Sequence, residues 1–184
     1  MLTELEIKVL KSIIHYQCFL TGKFTLKSGI TSNFYLNLRN LISQPSVITD
    51  IANLIKLKLP ADEDYYICGL PYAGIPYANA VSILFNKPNI LLRKERKKHG
   101  LQNMIDGLGV EKINKVVIID DIITTGSSIR DSIPILEAEG LEIIKIITLV
   151  DRSEDGIQEI ENNGTKYSVF SLFKLQDLIS INSK

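Results

Sequence analysis

Hydrophobic residues in the first third of the chain recur at helical spacing in two places. Thr3 and Glu6 have the spacing of a capping box and precede an apolar stripe, which predicts a helix over residues 3–17. Pro45 begins a second amphipathic segment, which predicts a helix that ends at Pro60. Between the two helices, F-T-L-K-S-G and S-N-F-Y-L-N-L predict two short extended segments around a glycine turn.

Beyond residue 64 the pattern changes to short, nearly continuous apolar runs that alternate with helical segments. Strands are predicted at Y-Y-I-C-G-L, N-I-L-L-R-K, K-V-V-I-I-D-D, E-I-I-K-I-I-T-L-V-D-R and K-Y-S-V-F-S-L-F. Helices are predicted at residues 73–85, at 127–139 and, shorter, at 154–162, and a last helical turn follows the final strand. Strands of this kind are buried on both faces, so the alternation predicts an α/β fold with a doubly wound, mostly parallel sheet.

The length of 184 residues is close to that of one domain. We expect a single domain over residues 1–184, in which residues 1–40 form the first helix and a small N-terminal hood. Residues 41–184 form the core, and the segment from 95 to 108 forms a mobile loop because it is too long and too charged for a tight turn. Ligands of doubly wound sheets bind at the carboxyl ends of the strands.

Charge and cysteine content restrict the partners and the compartment. Lys plus Arg and Asp plus Glu each number 21, so the formal net charge is zero and binding to nucleic acid or a membrane through bulk charge is not expected. The charged N-terminus does not resemble a signal peptide, and no run approaches the roughly 18 apolar residues of a membrane span. Cys18 and Cys68 form no metal or redox motif, so we expect two reduced thiols in a cytoplasmic protein.

The stretch V-V-I-I-D-D-I-I-T-T-G-S-S, residues 116–128, carries the most chemistry. It places Asp120 and Asp121 at the end of a buried strand and a hydroxyl-rich loop directly before a helix. Gly126 allows close approach of a ligand to the backbone, and N–H groups at a helix start bind anions. Hydroxyls that can add donors to a phosphate belong to Thr124, Thr125, Ser127 and Ser128. Carboxylates suit sugar hydroxyls or a bound magnesium ion, so the stretch predicts a ribose phosphate site.

Other interpretations of this stretch fit less well. A plain capping loop with solvated aspartates is the simplest alternative, but it does not explain why T-T-G-S-S adjoins the two acids. The P-loop pattern and the dinucleotide G-x-G-x-x-G pattern are both absent. A phospho-accepting receiver domain needs an acidic pair on its first strand, which Y-Y-I-C-G-L does not supply.

The run R-K-E-R-K-K-H-G, residues 93–100, holds five Lys or Arg and one Glu, a local net charge of +4 (5 − 1). Arg93 and Lys94 end an apolar strand, so the run begins at the same sheet edge as the aspartates. A solvated surface loop is the simple interpretation. A mobile cationic loop that carries a histidine can instead clamp a pyrophosphate and stabilise its charge as it leaves.

Three further motifs lie at predicted strand ends or in the hood. L-P-Y-A-G-I-P turns a strand into a helix and can offer backbone N–H groups to a phosphate. Lys27 lies outside the main sheet with Phe34 and Tyr35, whose rings either cover a flat heterocycle or pack the hood. Arg152 ends another strand and can grip a carboxylate or imide edge bidentately.

Together these motifs resemble the type I phosphoribosyltransferases, whose phosphoribosyl-pyrophosphate motif is a hydrophobic strand, two acids, two hydrophobic residues and T-[T/A]-G-[S/T]-[S/T]. F-T-L-K-S-G, R-K-E-x-K-x-H-G and the late D-R are similar, in the same order, to orotate phosphoribosyltransferases. The resemblance covers nearly the whole chain. It implies transfer of phosphoribosyl to orotate with magnesium carried by the pyrophosphate substrate, and a homodimer that shares the 95–108 loop between subunits.

The resemblance also implies roles for individual residues. The residues expected to act in catalysis are Lys97, His99 and Asp121. Ribose hydroxyls would be held by Asp120 and Asp121, the ribose phosphate by residues 124–128, and pyrophosphate by Arg93, Lys94, Lys97 and His99. Lys27 would approach the pyrophosphate and the base, Arg152 would bind orotate, and Tyr72 is a further substrate-binding residue. Ala73 departs from many bacterial members, which have lysine there, and looks more like the domain fused in bifunctional uridine monophosphate synthases. A purine or uracil transferase and a non-catalytic nucleotide sensor are the alternatives.

Overall fold

The computed structural model describes residues 2–25, 29, 31–61, 63–95, 103–109 and 113–183. The N-terminal hood begins with helix α1 (Glu4–His15), whose cap is the predicted box between Thr3 and Glu6. An antiparallel hairpin of β1 (Phe19–Thr25) and β2 (Thr31–Leu36) follows. A 3₁₀ helix (Leu38–Ser43) then leads into the core.

The main sheet has seven strands within the described ranges, in the order β5-β4-β3-β6-β7-β9-β8. Their bounds are β3 Tyr66–Gly69, β4 Asn89–Leu92, β5 Ile105–Asp106, β6 Lys115–Ile123, β7 Glu142–Asp151, β8 Glu159–Asn162 and β9 Thr165–Lys174. The five central strands are parallel, and only β5 and β8 at the two edges are antiparallel. The predicted mostly parallel α/β sheet is therefore confirmed.

Helices cover both faces of the sheet, as a doubly wound fold requires. The remaining helices are α2 (Pro45–Lys56), α3 (Gly74–Phe85), α4 (Ser127–Ala138) and α5 (Leu175–Asn182). The hood, α2, α3 and α5 pack against one core, which includes the odd-numbered β6 residues Val117 and Ile119. Helix α4 and β8 pack against a second core, which includes the even-numbered residues Val116 and Ile118. The alternation of adjacent strand residues separates the two cores.

The predicted short helix at residues 154–162 is wrong, because Glu159–Asn162 forms β8 and pairs with β9. The hairpin turn consists of Asn163 and Gly164, both with positive φ (49° and 81°). Asn-Gly is the preferred sequence of such two-residue turns. Ile160 of β8 is fully buried against the second core, so tertiary packing supports a strand that has only one apolar residue.

Other boundaries also differ from the sequence prediction. Strand β6 continues past the two aspartates to Ile123, because Ile122 and Ile123 still pair with β7. The segment predicted as a loop at 95–108 contains β5, which pairs with β4. Helix α5 has eight residues where a single turn was predicted. Cys18 and Cys68 are both free thiols, and both are buried. None of the helices described is long and apolar enough to cross a membrane.

Candidate active site

The site lies at the carboxyl ends of β3 and β6, where the strand order reverses. From β3 the chain moves outward to β4, and it then returns to β6 on the other side of β3. Helix α3 follows β3 onto one face, whereas α4 follows β6 onto the other. Chain segments that leave in opposite directions open a crevice at this point, which is where ligands of such sheets bind.

Asp120 is directed to the α4 side of β6 and is only 7% exposed. Its Oδ1 accepts a hydrogen bond from the Asp121 N–H (2.9 Å), and its Oδ2 accepts one from the Ser128 hydroxyl (3.2 Å). Burial raises the pKa of the Asp120 carboxyl to about 7, and the neighbouring Asp121 charge adds to the rise. This carboxylate is thus held beside the first turn of α4.

Asp121 is directed to the opposite side of the sheet, toward α3 and the 3₁₀ helix. Its Oδ1 accepts a hydrogen bond from the Ile122 N–H (2.8 Å). Burial raises the pKa of Asp121, and the positive charge of Arg39 acts against that rise. The Tyr77 hydroxyl donates to the carbonyl of Leu38 (3.1 Å) and so ties α3 to the segment that carries Arg39. Sequence reasoning missed Arg39 and Tyr77, because neither belongs to a motif.

The T-T-G-S-S loop joins β6 to α4 as predicted. Gly126 is the N-cap residue of α4 and has φ 77°, a conformation that L side chains rarely adopt. Its Cα packs closely on β8, since a Cβ there would lie 2.8 Å from Cδ1 of Ile160. The side chains of Thr125, Ser127 and Ser128 are exposed at the mouth of the crevice. No side chain caps α4 within the described residues, so its first N–H groups are available to an anion.

The turn between β3 and α3 is pressed against the backbone of β6. A Cβ at Gly74 would lie 2.3 Å from the carbonyl oxygen of Ile119, and the N–H of Leu70 donates to that same oxygen (2.9 Å). Tyr72 projects from this turn and is 66% exposed. The Nζ of Lys94 lies 5.5 Å from the centroid of the Tyr72 ring. Lys94, two residues beyond β4, therefore places a cation at the turn that carries Ala73 instead of lysine.

Arg93 and Lys94 differ in their availability. The Arg93 guanidinium forms an ion pair with Asp106 of β5 and is half-buried. Lys94 is exposed. A cavity of about 310 Å³ is lined by Pro71, Lys94 and Ser128, among others. The ends of β3 and β4 and the start of α4 thus meet around one space, as the strand-end argument requires.

The two rings of the hood have different environments. Phe34 stacks on Phe19 with ring centroids 5.6 Å apart and packs against the core. Tyr35 is 42% exposed and lies 5.6 Å from Phe24. Packing therefore accounts for Phe34, whereas Tyr35 is accessible to a ligand.

Arg152 directly follows β7 at the same edge of the sheet. Its N–H donates to the carbonyl of Ile123 at the end of β6 (2.9 Å). The predicted site residues Lys27, Lys97 and His99 lie outside the described residues. Among the residues described, no three His, Cys, Asp or Glu side chains cluster as metal ligands. The Asp120 carboxylate beside the phosphate loop, with Asp121 next to it in the chain, fits a Mg²⁺ ion that arrives on phosphate oxygens.

Comparison with known proteins identifies the family. The profile of the phosphoribosyl transferase domain matches residues 39–176. The chain is 35% identical over 166 residues to the orotate phosphoribosyltransferase of Pyrococcus horikoshii, covering 89% of each chain. Two solved structures are also similar. Leishmania donovani UMP synthase has a TM-score of 0.78 at 31% identity, covering 96% of this chain and 38% of that one.

The second structure is the orotate phosphoribosyltransferase of Aeropyrum pernix, with a TM-score of 0.76 at 25% identity over 95% of this chain and 98% of that one. The profile match begins in the 3₁₀ helix and ends in α5, so it includes both aspartates, the T-T-G-S-S loop and the end of β7. The chain belongs to the phosphoribosyltransferase family and, within it, to the orotate phosphoribosyltransferases.

Proposed function

We propose that this protein transfers the phosphoribosyl group from phosphoribosyl pyrophosphate to orotate, which gives orotidine 5′-monophosphate and pyrophosphate in UMP biosynthesis. The observation that carries the proposal is the pairing of Asp120 and Asp121 with the T-T-G-S-S loop at the reversal point of the sheet. Carboxylates that accept hydrogen bonds from sugar hydroxyls, next to backbone N–H groups that bind an anion, match the two parts of a ribose 5-phosphate. The named relatives support orotate as the base.

The two carboxylates act on the ribose. Because Asp120 and Asp121 point to opposite sides of β6, they can reach the two sides of a ribose ring laid across its end. Ionised carboxylates are strong acceptors for the 2- and 3-hydroxyls. Their raised pKa values mean that the substrate must supply part of the stabilisation of the charges. Ribose hydroxyls and a nearby Mg²⁺ would do so.

The pyrophosphate is held by cations and backbone donors. We propose that Lys94, Tyr72 and the turn before α3 contact it from this subunit, with Lys97 and His99 added from the 95–108 loop. Lys94 provides the charge that other members place at the position of Ala73, which its contact with Tyr72 supports. Arg93 reaches the pyrophosphate only if its pairing with Asp106 changes.

Orotate is a flat, acidic base, and we propose that it lies between the hood and the end of β7. Arg152 and Lys27 would bind its carboxylate and imide edge, and Tyr35 would cover its face. The exposure of the Tyr35 ring supports that role, whereas the packing of Phe34 supports a structural one.

Catalysis then consists of holding the two substrates in place, neutralising the charge of the pyrophosphate and excluding water from the site. Cleavage of the anomeric bond leaves positive charge on the ribose and negative charge on the departing pyrophosphate. Mg²⁺ bound with the substrate beside Asp120 and Asp121 would supply neutralisation of phosphate charge. The cationic residues stabilise the developing pyrophosphate. Asp121 stabilises the cationic ribose. Precise placement of base and sugar accounts for much of the remaining acceleration.

We also propose that residues 1–184 form one domain that works as a cytoplasmic homodimer through the face formed by α3 and β4. Ile83 is 81% exposed and Leu84 46%, and Leu91 of β4 is 40% exposed. Apolar residues of this size on one face favour a protein partner. The segment after β4 leaves from the edge of that face, which supports sharing of the loop between subunits. Ile83→Lys should give monomers in sedimentation, whereas Lys11→Met should not.

The deciding experiment mixes the protein with Mg²⁺, phosphoribosyl pyrophosphate and one base at a time: orotate, uracil, adenine and hypoxanthine. Loss of the base and release of pyrophosphate are followed together. We expect turnover with orotate alone. The Asp121→Asn variant is the negative control, and Asp64→Asn, an exposed carboxylate away from the crevice, is the matched control that keeps activity. Turnover of another base but not orotate would falsify the assignment, and binding without turnover would favour the nucleotide sensor.

A further inference from the structure

Arg130 lies in the first turn of α4 and has no role in the motifs described so far. Its backbone N–H donates to the carbonyl of Gly126 (3.0 Å), which is the first hydrogen bond of the helix. Its side chain turns back, and Nη1 donates to the carbonyl of Thr125 (2.5 Å). One residue therefore binds two consecutive carbonyls of the T-T-G-S-S loop.

These two bonds determine where the N–H groups of the loop point. Within the described residues the Pro71–Tyr72 bond is the only cis peptide, so the peptides on either side of Gly126 are trans. In a trans peptide the C=O and N–H point in opposite directions. Because the Thr125 carbonyl faces the Arg130 guanidinium, the N–H of Gly126 faces the other way, toward the crevice. The Ser127 N–H points out of the helix start, as the backbone bond from Arg130 to the Gly126 carbonyl requires. Neither N–H has a hydrogen-bond partner among the residues described.

The guanidinium lies behind the loop, away from the crevice. Nη1 is 3.5 Å from the place where a Gly126 Cβ would lie, on the same side of the loop as Ile160 of β8. A ligand in the crevice would meet the N–H groups and not this side chain. A charged donor on the Thr125 carbonyl also polarises the peptide and strengthens the N–H on its far side.

We infer that the Arg130 side chain is a positioning group that orients and polarises the N–H of Gly126 for the 5′-phosphate of the substrate. The inference rests on the proposed function, because it needs this loop to bind that phosphate. The side chain of Arg130 is exposed, so its removal leaves the hydrophobic cores intact.

The test compares Arg130→Met and Arg130→Lys with the natural protein. Dissociation constants for ribose 5-phosphate and for Mg²⁺-pyrophosphate are measured by calorimetry, and KM is measured for phosphoribosyl pyrophosphate and for orotate. For Arg130→Met we expect about tenfold weaker ribose 5-phosphate binding, the size of effect expected when the charge-assisted hydrogen bond from the Gly126 N–H to the phosphate is misaligned. KM for phosphoribosyl pyrophosphate should rise in parallel, with pyrophosphate binding and KM for orotate unchanged. Arg130→Lys should bind ribose 5-phosphate more weakly than the natural protein but more tightly than Arg130→Met.

Lys166→Met is the matched control, because it removes one exposed positive charge from the adjacent β8–β9 hairpin without touching the loop. It should bind ribose 5-phosphate as the natural protein does. Equal ribose 5-phosphate binding by Arg130→Met overturns the inference. The inference is also overturned if both dissociation constants and both KM values worsen together and Tm falls, because that result indicates a general structural role for Arg130. If the natural protein itself does not bind ribose 5-phosphate, the phosphate assignment in the proposed function is what fails.

Discussion

Replacement of Asp120 by asparagine should make the unliganded protein more stable at pH 8, although it removes a group of the active site. Burial raises the pKa of this carboxyl to about 7, whereas an unfolded aspartate has a pKa of about 4. At 1.36 kcal/mol for each pKa unit, the ionised form costs the folded state about 4 kcal/mol above pH 7. Asparagine is nearly the same size and never ionises.

The sign of the effect follows from proton binding. Between about pH 4 and pH 7 the folded protein holds a proton on Asp120 that the unfolded chain has released, so the stability contributed by this group falls as the pH rises. Below about pH 4 both states are protonated and the advantage of the asparagine variant should vanish. The amide can still accept from the Asp121 N–H and pair with the Ser128 hydroxyl. We therefore expect an advantage of about 1 to 4 kcal/mol at pH 8.

The assay is urea unfolding at pH 4, 6 and 8, followed by far-ultraviolet circular dichroism because the chain has no tryptophan. Protein concentration is kept constant and no Mg²⁺ or substrate is added. Asp64→Asn is the control and should show no pH-dependent gain. The reasoning is refuted if Asp120→Asn is less stable than the natural protein at pH 8. It is also refuted if the change in the free energy of unfolding is the same at all three pH values. Turnover should meanwhile fall about 10- to 100-fold, since the variant lacks the charged acceptor that we propose for the ribose hydroxyls.

Two further substitutions test the pyrophosphate side of the site. Lys97→Ala should lower turnover about 10²-fold and change the free energy of unfolding by less than about 0.5 kcal/mol. Steady-state kinetics measures the first effect and urea unfolding the second. A fully active variant would show that the charge of Lys97 does not contribute to turnover. Gly74→Ala should lose about 1–3 kcal/mol of stability, because its Cβ would lie 2.3 Å from the Ile119 carbonyl oxygen. Thermal unfolding checks this, and an unchanged Tm contradicts the close packing.

The fold class followed from the residue pattern because its signals are local. Continuous apolar runs, the capping box at Thr3 and the turn residues each act over a few positions, and they placed the parallel strands and most helices correctly. Strand β8 was misassigned because Ile160 is its only apolar residue. Its structure depends on pairing with β9 and packing against Gly126, contacts that no local pattern contains.

In the site, too, some features follow from the local sequence and others depend on tertiary contacts. The D-D-I-I-T-T-G-S-S stretch was enough to predict a ribose phosphate site, because an acid pair, a glycine and a helix start lie consecutively in the chain. What surrounds each acid was decided by the fold. Adjacent strand residues point to opposite faces, so Asp120 meets Ser128, whereas Asp121 comes near Arg39 and Tyr77.

Arg39 and Tyr77 reach Asp121 from two elements that are distant in the chain, and the crossovers of the sheet bring them together. The burial that raises both aspartate pKa values likewise comes from helices packed on the two faces. Residue identity thus determined which chemistry is present at the end of β6. Tertiary packing determined the charge, orientation and neighbours of those residues, because electrostatics and burial depend on distance in space and not on separation along the chain.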